Sequence, residues 1–165
     1  MRLGEGVEWA VHCAVLLAAL PDDVCLPASR LAQFHGVPGP YLAKSLQALT
    51  GAGLLESRGG RKGGYRLSRA ADQITLLDVV LAVEGDKTFF RCTEIRRRGP
   101  SAVAPRAYSP VCGVAGAMWR AERAWRDVLS GVTIAELAGI ALRDAPAAAQ
   151  TKAVAWFGEV LSARG

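Results

Sequence analysis

The sequence is poor in the groups that usually do chemistry. Its 165 residues include only two histidines and four cysteines, with no Walker-type phosphate loop, no HExxH helix and no nucleophile elbow. Phosphoryl transfer, zinc hydrolysis and serine catalysis thus lose their usual signatures, and the chain is expected not to be an enzyme. Long apolar runs are missing too. The stretch from Ala10 to Leu20 is broken by His12, follows Glu5 and Glu8, and falls short of the roughly 20 residues a membrane span needs. No targeting segment is evident either, so the expected location is cytoplasmic, with no membrane partner. In that reducing compartment thiols serve metals or redox chemistry more readily than structural disulfides. Internal repeats are absent, which excludes a solenoid.

What is present is globular: 51% of the residues are hydrophobic and 21% charged. The net charge of +5 is concentrated in residues 56–106, which hold 11 Lys and Arg against 6 Asp and Glu. A local cationic surplus in a small chain fits a polyanionic partner, most often nucleic acid, or else a solvated surface.

Apolar spacing divides the chain. Residues 5–20 read as a helix with Val7, Val11, Ala14, Val15 and Ala18 on one face, ended by Pro21-Asp22-Asp23. A short helix in PASRLAQFHG turns Leu31 and Phe34 inward and stops at Gly36. Gly39-Pro40 opens a third, with Leu42, Leu46 and Leu49 inside and Tyr41, Lys44, Ser45 and Gln47 outside. The period then changes to two. Leu54–Arg58 and Tyr65–Ser68 read as strands flanking GGRKGG, a hairpin tipped with glycine and cations. Thr75 and Asp78 make a capping-box start for a helix stopped by Gly85.

Next comes CTEIRRRGPSAVAPRAYSPVC, residues 92–112, two cysteines bounding a proline-broken loop. Beyond it Val114, Met118, Ala121, Trp125 and Val128 recur at alternating four and three, a heptad-like stripe on a helix of about 16 residues. Such a stripe serves either a partner helix or the chain's own core. Thr133 and Glu136 begin another helix, and a last one is expected over Ala147–Ser162.

Three helices and a basic-tipped hairpin, in that order, predict a mainly α fold with a small β-hairpin wing: a winged helix-turn-helix plus a long dimerisation helix. The expected division is 1–85 for DNA binding, 86–112 for a cysteine-bearing loop and 113–165 for the dimerisation and C-terminal helices. On this reading the third helix enters the major groove of double-stranded operator DNA, presenting Tyr41, Lys44, Ser45 and Gln47. Arg58, Arg61, Lys62 and Arg66 of the hairpin reach phosphates or the minor groove. The glycines of the tip permit close approach of the backbone. GGRKGG taken alone reads more readily as a mobile surface loop; the order of the elements favours the wing. A homodimer on the stripe would match a two-fold operator.

The stretches YLAKSLQALTGAGLLESRGG and RKGGYRLSRAADQITLLDVVLAVEG resemble a bacterial family of winged-helix regulators. That family includes the iron–sulfur cluster assembly regulator, the nitric-oxide-sensitive repressor and the cysteine-metabolism repressor. The resemblance implies a homodimeric regulator, expected to be a repressor, with its sensor loop just before the long helix. Cluster-binding members offer three closely spaced loop cysteines, whereas this chain has only Cys92 and Cys112. Two thiolates cannot complete a [2Fe–2S] centre, which takes four protein ligands, although imidazole can replace thiolate.

GVEWAVHC, together with EIRRRGP after Cys92, is similar to a redox-sensing [2Fe–2S] member of the family. That member uses two cysteines, one glutamate and one histidine. Carried over by matching positions, the implied ligands are Cys92, Cys112, Glu8 and His35, with the cysteines from one subunit and Glu8 and His35 from the other. The implied cofactor is a [2Fe–2S] cluster, of a kind that an air-exposed preparation can lose. Trp9 is a candidate for coupling redox state to packing, or a core residue. His12 is an alternative ligand or proton partner, or a core histidine. Cys13 and Cys25 read as small buried hydrophobes, and Arg96, Arg97 and Arg98 as phosphate contacts or loop solvation. The alternatives are a cluster-free regulator switched by Cys92–Cys112 disulfide chemistry, and an interaction module that kept the fold without DNA function.

Overall fold

The computed structural model describes residues 3–162. Seven α-helices, three short 3₁₀ turns and one two-stranded antiparallel hairpin make up its regular structure. Helix α1 spans Glu5–Ala18, with Glu5 and Glu8 in its first turn, where carboxylates favour the helix dipole. Its buried positions are Val7, Ala10, Cys13, Ala14, Leu16 and Leu17, whereas Val11, Val15 and Ala18 are only partly covered. The expected stripe is therefore rotated and widened. Helix α1 packs against four other helices, and small residues such as Ala10 and Cys13 let them approach closely.

Helix α2, Ala28–His35, ends on Gly36 in the left-handed conformation at φ 65°. Helix α3, Gly39–Gly51, starts with Pro40 in its first turn and buries Leu42, Leu46 and Leu49 completely. Strands β1 (Leu55–Arg58) and β2 (Gly64–Leu67) pair with Leu55 opposite Leu67 and Glu56 opposite Arg66. Leu26 adds a bridge to Tyr65, its N–H donating across 2.9 Å and its carbonyl accepting across 2.7 Å. This tight seam needs Gly64, whose φ is 139°; a Cβ there would strike the Leu26 and Pro27 backbone.

Helix α4, Leu76–Glu84, carries the expected capping box: Asp78 N–H donates to Thr75 Oγ1 at 3.1 Å, and Thr75 N–H to Asp78 Oδ2 at 2.9 Å. Helix α5 runs Gly113–Ser130, and α6 Ile134–Asp144. Backbone bonds tie the start of α6 to the start of α4, Leu76 N to Val132 O at 2.8 Å and Ile134 N to Ile74 O at 2.9 Å. Ile134 is thereby set in the same core as α1 to α3. Helix α7, Ala147–Ser162, lays Trp156 and Phe157 against Phe34 of α2, with ring centroids 4.9 and 5.7 Å away.

Candidate DNA interface and cysteine loop

The three buried leucines of α3 fix which side faces out. Tyr41 is 61% exposed, Lys44 and Gln47 are exposed beside it, and the Lys44 ammonium sits 5.8 Å from the Tyr41 ring centroid. Ser45 departs from expectation. It is only 4% exposed, and its hydroxyl donates to the Gly6 carbonyl of α1 at 3.1 Å. Ser45 therefore docks α3 on α1 instead of facing a base edge.

In the wing, Arg58, Arg61 and Lys62 are exposed, and no ion pair engages them among the described residues. Arg66 is again different. It forks onto Glu56 at 2.7 and 3.0 Å and donates to the Asp22 carbonyl at 2.7 Å. That cross-strand pair stiffens the hairpin and withdraws Arg66 from the phosphate-contacting set.

The cysteine loop has more internal structure than its prolines suggest. Cys92 and Cys112 are thiols, both half-buried; Cys92 Sγ–H donates to Glu94 Oε1 at 3.7 Å, and Cys92 stands near enough to Cys112 to act on its titration. Cys112 precedes the first turn of α5. The backbone amides of Ala115 and Val114 hold its pKa below the usual thiol value, with smaller help from Arg96 and Cys92. Glu94 adopts the left-handed conformation at φ 54°, and its N–H donates to Cys92 Sγ at 3.4 Å. Its carboxylate bonds Arg96 and pairs with Arg97, each at 3.0 Å, which lowers its pKa. Arg96 and Arg97 are thus held by the loop itself.

Elsewhere, the rings of His12 and His35 lie 5.8 Å apart. His35 Nε2 is buried without a hydrogen-bond partner among the described residues. Burial, and then proximity to His12, lowers the His35 pKa, so the neutral imidazole keeps a lone pair. Glu8 is exposed one turn before His12, and Trp9 is partly buried against the core and borders a cavity shared with Tyr41, Lys44 and Ser45. The fold brings cysteine to cysteine and histidine to histidine, but gathers no group of three or more His, Cys, Asp or Glu fit for a metal among the described residues. Cys13 and Cys25 are buried as expected, and burial pushes the Cys13 thiol up to about 12.

On α5 the stripe faces outward. Val114, Met118 and Val128 are 64%, 42% and 66% exposed, while Glu122 is buried, accepting from Phe89 N–H at 3.1 Å and from Arg126. The stripe is therefore not spent on the chain's own core, apart from Trp125, which meets Phe89 edge to face with ring centroids 4.7 Å apart.

A sequence profile described as an iron-dependent transcriptional regulator, Rrf2, matches residues 3–139. The chain belongs to the Rrf2 family. It is a DNA-binding transcriptional regulator of that family. The Lactococcus lactis protein YffB, provisionally named an HTH-type transcriptional regulator, is 30% identical over 138 residues, covering 84% of this chain and 87% of its own. Among solved structures, the Bacillus subtilis global cysteine regulator CymR superposes with a TM-score of 0.67 at 22% identity, over 85% of this chain and 98% of its own. IscR of T. potens superposes with a TM-score of 0.62 at 22% identity, covering 90% of each chain. Those identities bear on the fold, a mainly helical winged helix with a small hairpin.

The Rrf2 match ends within α6, so α7 and its aromatic contact with α2 lie outside it. No helix among the described residues of this Rrf2 chain is long and apolar enough to cross a membrane. Sequence reasoning missed the roles of Glu94, Tyr108 and Ser109 around Arg96, for which loop composition offers no periodic signal. It also missed the Arg66–Glu56 pair, which the hairpin register alone, placing 56 opposite 66, would have revealed.

Proposed function

We propose that this Rrf2 protein is a homodimeric cytoplasmic repressor, without enzymatic activity, whose operator binding is controlled by a [2Fe–2S] cluster. The resemblance to the redox-sensing response regulator RsrR suggests the ligand set, and one observation carries it. Among the described residues, two neighbouring thiols and a buried, unpartnered imidazole nitrogen exist in the same chain without a complete set of ligands. Cys92 and Cys112 of one subunit with the partner's Glu8 and the partner's His35 would complete four. The donor set fits: two thiols, one of lowered pKa, a neutral imidazole and an exposed carboxylate. When bound, the cluster supplies reversible one-electron chemistry, and replacing two thiolates by carboxylate and imidazole raises its reduction potential.

The chain's own residues link that site to DNA. Ligation by His35 bears on the end of α2, and ligation by Glu8 bears on α1, which holds α3 through Gly6 and Ser45. Trp9 and His12 flank the same stretch and are the coupling residues. Val114, Met118 and Val128 supply the dimer face. Tyr41, Lys44 and Gln47 read bases, and Arg58, Arg61 and Lys62 hold phosphates.

The proximity of Cys92 to Cys112 also favours a second reading, a cluster-free regulator switched by their disulfide. Protein purified without oxygen separates the two. The cluster reading expects a visible chromophore with about two irons and two sulfides per site, lost in Glu8→Ala and His35→Ala. Colourless, iron-free protein that binds operator and responds to thiol oxidants would establish the second reading instead.

A further inference from the structure

The loop between the cysteines lacks a core. Ile95, Val103 and Val111 are all exposed, three prolines interrupt it, and only two short 3₁₀ turns are regular. Its order must come from polar bonds, and these converge on one side chain. The Arg96 guanidinium donates through Nε to Glu94 Oε2 at 3.0 Å, through Nη1 to Ser109 Oγ at 3.3 Å and through Nη2 to the Ser109 carbonyl at 2.7 Å. It lies 5.2 Å from the Tyr108 ring centroid. The Tyr108 hydroxyl donates to the Arg96 carbonyl at 2.8 Å and accepts from Val103 N–H at 3.0 Å.

These bonds link the two cysteine arms. Glu94 belongs to the first arm, and its N–H reaches Cys92 Sγ; Ser109 belongs to the second, three residues before Cys112. Glu94 holds its left-handed backbone while its carboxylate is clamped by Arg96 and Arg97. A planar fork that meets a carboxylate on one edge and a carbonyl on the other, with an aromatic ring on its face, suits arginine and not lysine.

We propose that Arg96 is a positioning residue that buckles the loop, holding the Cys92 and Cys112 sulfurs as a preformed pair of soft ligands under a fixed positive charge. The pair is then ready to bind without first ordering the loop. This rests on the cluster reading for its physiological ligand, but preorganisation of the thiols is a property of the metal-free chain. By the same geometry the cation favours the more negative, reduced state of whatever the two sulfurs hold.

The test uses full-length, reduced, metal-free protein and phenylarsine oxide, a trivalent arsenical that closes stably only on two neighbouring thiols. Mass spectrometry identifies whether Cys92 and Cys112 are the bridged pair. Arg96→Gln and Arg96→Lys should both bridge this pair about tenfold more slowly, with operator-domain helicity unchanged. In anaerobically purified protein both should lose iron to a chelator about 10- to 100-fold more readily. The reduction potential separates geometry from charge: Arg96→Gln should lower it, and Arg96→Lys should hold it near the wild-type value. Bridging and iron retention equal to wild type in Arg96→Gln would overturn the proposal. If the wild-type chain carries no cluster yet bridging still slows in both variants, the cluster reading fails while the buckle stands.

Discussion

The winged-helix half and the half built on α5 use apolar residues in opposite ways. In α1 to α4, leucines at helical spacing are fully enclosed: Leu31, Leu42, Leu46 and Leu49 meet Leu26 and Ile74 in one core. In α5 an equally regular stripe points to solvent, and the face turned inward carries Glu122, bound to Phe89 N–H and Arg126. Periodicity marks an apolar face in both halves, but it does not say whether the chain itself covers that face. The first half completes itself within one chain. The second leaves Val114, Met118 and Val128 exposed, the face assigned above to the proposed dimer.

The largest test of this contrast is Met118→Glu, which puts a charge in the middle of the exposed stripe. It should convert the proposed dimer to a monomer in sedimentation while the circular dichroism of the winged helix is kept. Operator affinity should fall on the order of a thousandfold, since one half-site then binds alone. A variant still dimeric at micromolar concentration would place the interface elsewhere. In the self-sufficient half, Gly64→Ala should cost about 2–4 kcal/mol in urea unfolding, from backbone strain and the clash with Leu26 and Pro27. Unchanged stability would mean that the seam between Leu26 and Tyr65 opens at little cost to admit a Cβ.

Smaller effects should separate reading from anchoring on the DNA face. Lys44→Ala should change operator preference, costing about 1–3 kcal/mol at the base it contacts. Arg61→Ala should instead weaken all sequences alike and reduce the salt slope by about one. If both variants lost affinity uniformly, α3 would be anchoring the backbone and not reading the groove.

Much of the winged helix was legible because its signals are local. Gly36 and Pro40 bound the helices, Thr75 and Asp78 cap α4, and GGRKGG marks the hairpin. What escaped depends on groups distant in sequence. Ser45 lies on the flank of the buried leucine stripe, and whether it meets DNA or protein is decided by a carbonyl 39 residues away. Arg66 is basic and in the wing, but its partner sits across the strand. The cysteine pair was visible as spacing, while the buckle that orders it was not, because loops lack a period against which to place Arg96. The aromatic contact of α7 with Phe34 joins helices separated by most of the chain.

Ser45 gives the smallest expected effect and bears on how the halves communicate. Its hydroxyl meets the Gly6 carbonyl at 3.1 Å, and a Cβ on Gly6 would come within 3.2 Å of that hydroxyl. Helices α1 and α3 therefore touch through a hydrogen bond and a missing side chain. Gly6 precedes Glu8 by two residues, while Ser45 follows Lys44 directly. A pull on Glu8 can thus reach the reading face through one short contact. Ser45→Ala should lower stability by about 1 kcal/mol, the worth of a single neutral hydrogen bond. It should also shrink any difference in operator affinity between oxidised and reduced protein, by up to about fivefold, the equivalent of that energy. Stability lowered as expected with the redox response intact would route the coupling through His35 and α2 instead, since those residues reach α3 without passing through Gly6.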